Sequence, residues 1–270
     1  PEGRPEFFAK DIPSDGVIKI QKDESDVDVS DVIVNSRIYY GEKTTDYVIV
    51  NTNTEELDFQ AEGGELRSIQ YDGEGGVSVG SFIRRLAYAW QFSDINILIT
   101  GEITDNSRIQ YRREVQDRVA TVAPFLLLDN DPYMVAAGGQ LFWVQDAYTV
   151  SDQFPYSEPD LEPFNYIRNS VKVVVDAFNG SLQFYVWDPD DPMIRTYQGI
   201  FPKLFKSKAD MPDFLQPHVR YPQDLFRFQA AKYLKGPENP LCLFCTNSFK
   251  IHQNKRFVLH RIWYSGQTNS

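Results

Sequence analysis

Histidine and cysteine, the residues that most often build nucleophilic and metal sites, are scarce in this sequence. Histidine occurs three times in 270 residues, and only His218 falls before residue 236. Cysteine occurs twice, as Cys242 and Cys245, which is too few for a disulfide framework and leaves the redox compartment open. No apolar run approaches the roughly 20 residues that span a bilayer, and nothing at the start resembles a secretory signal. The chain opens on Pro1 rather than methionine, so an excised or processed piece is expected, and the missing signal does not argue for a cytoplasmic address. Basic charge is also short: 27 Lys and Arg stand against 38 Asp and Glu, a net of −11. The deficit is local. Residues 1–76 hold 7 basic and 18 acidic side chains, whereas residues 236–270 hold 4 and 1. An acidic front of this kind disfavours nucleic acid or an anionic lipid surface as its partner.

What is present is core-forming material. At 42% apolar and 14% aromatic residues the chain lies outside the disordered range and can bury a sizeable core. Val17–Gln21, Val32–Tyr40 and Tyr47–Thr52 read as short strands in the first third, split by turn residues and by the acidic stretch 22–31. Phe82, Ile83, Leu86, Ala87 and Trp90 form a single apolar face of a helix over about Gly80–Phe92. A second helix is expected over about Ser107–Val122, with Asp105 or Asn106 as its cap. Leu141–Val150 reads as a strand. Val171–Phe178 and Ser181–Trp187 flank Asn179-Gly180, a two-residue hairpin signal in which both positions would need positive φ. A last helix is expected over about Pro222–Leu234. Strands and helices are segregated, so the expected class is α+β: antiparallel sheet segments with a few helices in one large domain, residues 1–235. Residues 236–270 form an atypical basic tail holding both cysteines and two of the histidines.

Five constellations carry possible chemistry. Gly76-Val77-Ser78-Val79-Gly80 has the spacing of a nucleophile elbow, with Ser78 as attacker and His218 as base. Against it, Asp72-Gly73-Glu74-Gly75 stands where the hydrophobic strand should run into the serine, and a small residue in a glycine turn explains the pattern more simply. Cys242 and Cys245 followed by His252 and His260 offer zinc-ligand types, but the gaps do not match those of zinc fingers. Asp26 and Asp28 begin like a calcium loop, which then fails at its glycine and final glutamate positions. Asp129-Asn130-Asp131 and Asp188-Pro189-Asp190-Asp191 supply oxygens but also read as turns. On the expected second helix Arg108 and Arg112 lie one turn apart and could hold one oxyanion, or could pair with the acidic front. Phe154, Tyr156, Tyr166, Phe184, Tyr185 and Trp187 could stack on sugar, although aromatics in strands mostly fill cores. No motif calls for a cofactor.

Seven blocks in collinear order carry a resemblance: IYYGE at Ile38–Glu42, YVIVNT at Tyr47–Thr52, FIRRLAYAW at Phe82–Trp90, RVATVAPFLLLDNDPY at Arg118–Tyr133, DAYTVSDQFPYS at Asp146–Ser157, NYIRNSVKVVVDAFNG at Asn165–Gly180 and HVRYPQDLFRFQA at His218–Ala230. With these the chain resembles uncharacterised protein family 0182, large bacterial multi-pass membrane proteins with a soluble extracytoplasmic domain. The resemblance implies a location rather than a chemistry: part of the soluble domain, outside the cytoplasm, with the transmembrane portion of its parent as a partner. It carries over no catalytic residue, and it breaks after Lys235. The leading expectation is a ligand-recognition or assembly module with an envelope ligand or protein partner and no nucleic acid. The alternatives are a cell-envelope hydrolase, serine or carboxylate based, and an anion- or calcium-responsive regulatory domain.

Overall fold

The architecture was read from a computed structural model that describes residues 35, 37–60, 66–155, 157 and 163–234. The chain divides into two units, residues 1–222 and 223–270. The first is α+β. Its early strands are β1 (Val48–Val50), β2 (Glu56–Gln60), β3 (Leu66–Ile69) and β4 (Val77–Ser78). Helices α1 (Phe82–Phe92) and α2 (Asn96–Ile99) follow, then β5 (Arg108–Gln110) and α3 (Val115–Val122). Beyond them come β6 (Leu127–Leu128), β7 (Tyr133–Ala137), β8 (Gln140–Ser151), β9 (Tyr166–Asp176), β10 (Leu182–Val186), α4 (Pro192–Ile200) and β11 (Phe205–Ser207). The second unit contributes α5 (Gln223–Leu234), where Arg227 pairs with Asp224 one turn earlier at 2.9 Å.

Strand β5 lies between β1 and β4 in a three-stranded antiparallel sheet, and β2 pairs with β3 separately. The main sheet runs β11-β10-β9-β8-β6, with β7 also pairing β8; only the β10–β11 pair is parallel. Period-two alternation explains its two cores. Val171, Val173 and Val175 of β9 face one side with Leu141, Trp143, Phe184 and Val186, covered by Val115 and Val119 of α3 and Ile194 of α4. Val174, Val144 and Tyr185 face the other side with Met211 and Leu215. A third core, Val79, Ala89, Ile97, Ile103 and Ile109, lies between the small sheet and the α1–α2 pair.

The second helix is shorter than its sequence suggests: Arg108–Gln110 is a strand, Arg112 takes a left-handed φ of 49°, and the helix starts only at Val115. Its cap is Glu114, whose carboxylate accepts from the Gln116 and Asp117 amides. The β9–β10 hairpin exists, but residues 177–181 connect its strands, and only Gly180 has positive φ (69°). Asp176 organises this loop by accepting from the Phe178 and Asn179 amides. A Cβ at Gly180 would fall 2.4 Å from the Tyr40 ring, so glycine is required on two counts. Residues 37–40 are not a strand, although the Tyr39 and Tyr40 amides both donate to the Ala177 carbonyl. Residues 17–34, including the failed calcium loop, lie outside the described residues.

Candidate functional site

The residues singled out for nucleophilic chemistry lie on different elements. Ser78 sits in β4, half-buried and paired with Arg108 of β5, and its φ is not positive. It therefore lacks the sharp, strained turn that presents an elbow nucleophile. His218 is exposed at the end of a 3-10 turn over residues 216–218. No hydrogen bond joins the two side chains among the described residues. Cys242, Cys245, His252 and His260 lie outside the described residues. Among those that are described, no group of three or more His, Cys, Asp or Glu side chains could hold a metal ion, and no helix is long and apolar enough to cross a membrane.

Arg108 and Arg112 do not share a helix face. Arg112 is exposed and bonds the Thr121 hydroxyl. Arg108 instead staples a turn, donating to the carbonyls of Glu74, Gly75 and Gly76 at 2.7–2.8 Å. Two further arginines act the same way. Arg113 donates to the Tyr39 and Asp46 carbonyls, and Arg118 donates to those of Gly180, Tyr111 and Arg112. Near Arg118 lies Tyr40, a fully buried phenol. The Arg118 guanidinium lies over its ring at 4.6 Å, and the charges of Arg118, Arg113 and Arg108 oppose the rise in its pKa that burial causes. Beside them Gln110 is completely buried, with neither its amide oxygen nor its amide nitrogen hydrogen-bonded. No periodicity in the sequence marked Arg113, Arg118 or Gln110, because their association depends on the junction of two sheets.

The outer face of the main sheet holds a second polar group. Asp146 of β8 and Lys172 of β9 are direct cross-strand partners and form a buried ion pair. Burial pushes the Asp146 carboxyl up and the Lys172 ammonium down, while each partner's charge resists the change. Asn169 also donates to Asp146, at 3.1 Å. Residue Arg220 closes over the pair: its carbonyl accepts from Lys172, its amide donates to the Tyr133 hydroxyl, and its guanidinium stacks on Tyr133 and pairs with Asp131. Asp129 accepts from the buried Tyr148 hydroxyl and from the Asp131 amide. The Asp129-Asn130-Asp131 turn is thus built into this network. Asp191, the other acid of interest, caps α4 and accepts from Thr149, Ser170 and Tyr166. A lysine inside the run Val171–Val175 was the available signal for the buried pair.

The third feature is apolar. The stripe Phe82, Ile83, Leu86 and Trp90 on α1 faces away from the core, contrary to the usual fate of a single apolar face. Trp90 is 86% exposed, Ile83 76% and Ile99 71%; Phe82 and Ile95 are exposed as well. The opposite side of α1 packs inward instead. Ala89 is buried, Tyr88 and Phe92 join an aromatic group with Tyr47 and Tyr111, and Arg85 donates to the Val79 and Ile103 carbonyls. Single exposed apolar residues are ordinary, whereas here six large ones lie on and between two adjoining helices.

Curated relatives match most of this chain. A UPF0182 protein of Sulfurovum sp. (strain NBC37-1) is 48% identical over 238 residues, covering 86% of this chain and 25% of its own length. Those of Pelotomaculum thermopropionicum and Microcystis aeruginosa are each 47% identical, over 232 and 240 residues, again covering 86% of this chain and about a quarter of their own length. The chain thus spans about a quarter of the curated relatives it matches. No solved structure matches it. Over residues 1–235 the sequence fits a single family pattern, and the chain belongs to Uncharacterised protein family (UPF0182).

Proposed function

We propose that this domain is a non-catalytic recognition and assembly module on the extracytoplasmic side of a bacterial cell membrane, docked through the α1–α2 face onto the transmembrane portion of its parent protein. The observation that carries this reading is the outward apolar stripe Phe82, Ile83, Leu86 and Trp90, continued by Ile95 and Ile99. Burying each such side chain is worth roughly 1.5–3 kcal/mol. Free association costs roughly 4–15 kcal/mol in lost translation and rotation, so six side chains decide the outcome only when most are covered together. A segment of the same polypeptide escapes most of that cost, because tethering makes docking intramolecular. The relatives are about four times as long as the matched region, and the remainder of the parent is the favoured occupant.

The test uses membranes carrying the remainder of the parent protein, with the present chain added separately. Wild-type chain should be retained on these membranes and not on membranes lacking the remainder. The Ile83→Asp/Trp90→Asp variant should be lost from them while keeping its far-UV circular dichroism. Equal retention of variant and wild type would refute the docking face. Equal retention on membranes without the remainder would assign the face to lipid and refute the proposed occupant.

A further inference from the structure

Arg118 lies over the Tyr40 ring, Arg113 bonds the carbonyl of neighbouring Tyr39 and Arg108 bonds that of Gly76, and none of the three forms an ion pair with a carboxylate among the described residues. Their hydrogen bonds go only to backbone carbonyls, which offer partial charge in place of a full counter-charge. Each keeps one terminal nitrogen without a protein acceptor: Nη1 of Arg108, Nη2 of Arg113 and Nη2 of Arg118. Burial lowers the Arg113 pKa, and the carboxylate of Asp46 opposes that shift. Partly buried positive charge of this kind is costly unless it is matched.

Gln110 supplies the second, independent observation. A fully buried amide with both ends unbonded is rare and points to a partner that is neither backbone nor side chain. Gly76 ties it to the arginines. The Gly76 carbonyl accepts from Arg108, and a Cβ there would fall 2.9 Å from Gln110 Cγ. Gly76 has φ of 78°, and the same Cβ would lie 2.7 Å from the Ile109 carbonyl oxygen, so the close approach of the turn to β5 depends on glycine. The result is an electropositive seam with unused donors in a chain of net charge −11.

We infer that the seam lined by Arg108, Arg113, Arg118, Tyr40 and Gln110 binds a tetrahedral oxyanion of the phosphate class. Guanidinium forks match such oxygens in geometry as well as in charge. The Gln110 amide N–H₂ donates to the ion, and Tyr40 closes the apolar side. This site is separate from the α1–α2 face, and its fate does not depend on the docking proposal.

The experiment is thermal melting of the full chain in phosphate, with sodium chloride at matched ionic strength as reference. A saturable rise in midpoint with inorganic phosphate supports a site for the free ion. A rise only with glycerol phosphate supports a site for the phosphate group of a larger molecule. Gln110→Leu should fold and lose the response. Gln110→Glu, which places a carboxylate where the anion would sit, should melt higher than wild type without phosphate and also lose the response. An equal rise in chloride would mean general screening and would overturn the inference. So would an undiminished phosphate response in both variants, or a Gln110→Glu protein that melts lower than wild type at every phosphate concentration.

Discussion

Lys172 occupies the second position of a β9 stretch in which Val171, Val173, Val174 and Val175 are all buried. Its ammonium is held by Asp146 across the strand pair and by the Arg220 carbonyl above. Neither charge would tolerate the loss of the other. Removing one partner of a buried pair leaves an uncompensated charge and costs about 3–5 kcal/mol, whereas replacing both with apolar residues is often neutral. Lys172→Met should therefore lower the unfolding free energy by about that amount, and Lys172→Met/Asp146→Leu should restore most of it. Denaturant melts of the wild type and the two variants check this; a double variant no better than the single would contradict the pair as the cause. The sequence carries the signal, a lysine in a valine run, but not its solution. Its partner lies 26 residues away, across a register that includes a bulge between Ala147 and Thr149. Arg108 was expected on a helix and lies in a strand for a related reason. Its charge was visible, but its role as a carbonyl staple depends on the Glu74–Gly76 turn, which only the fold brings near.

Helix α4 depends on one acid in a comparable way. Asp191 accepts from Thr149, Ser170 and Tyr166 and caps the Met193 amide, so a single carboxylate joins β8, β9 and the start of α4. Burial acts to raise its pKa, yet the hydroxyl and amide donors together hold it below the ordinary carboxylate value. A depressed folded pKa contributes stability that is present above the unfolded value and lost as pH falls through the folded one. Asp191→Ala should cost about 1–3 kcal/mol for the donors left unsatisfied, with roughly 1 kcal/mol more for the lost cap. It should also flatten the wild-type loss of stability below about pH 4, near the unfolded Asp value. Urea melts at pH 7 and pH 3 measure both effects, and an unchanged acid limb would count against Asp191 as its source. The elements themselves were largely readable. Apolar periodicity located α1, β8 and β9, and Asn179-Gly180 marked a hairpin that is present with a longer loop. What periodicity could not supply was the side that faces inward. Helix α1 has an apolar stripe, but small Ala89 and the carbonyl-bonded Arg85 form the face that meets the core. The expected helix from Ser107 failed because Ile109 is buried in β5 between two strands, and Arg112 turns the chain before Glu114 can cap α3.

At the scale of the molecule, the buried electropositive seam around Tyr40 and the exposed apolar α1–α2 face are two features with different partners in view. The α1–α2 face has the clearest physical demand, because water is a poor solvent for Trp90, Ile83 and Ile99 held outward together. The chain spans about a quarter of its relatives' length, and the remainder is the occupant proposed for this face. The most direct measurement is maleimide labelling of a Trp90→Cys variant with Cys242 and Cys245 replaced by serine, once in the isolated chain and once within the intact parent protein. Docking through α1–α2 predicts rapid labelling in the isolated chain and protection in the parent. Equal labelling rates in both would contradict it.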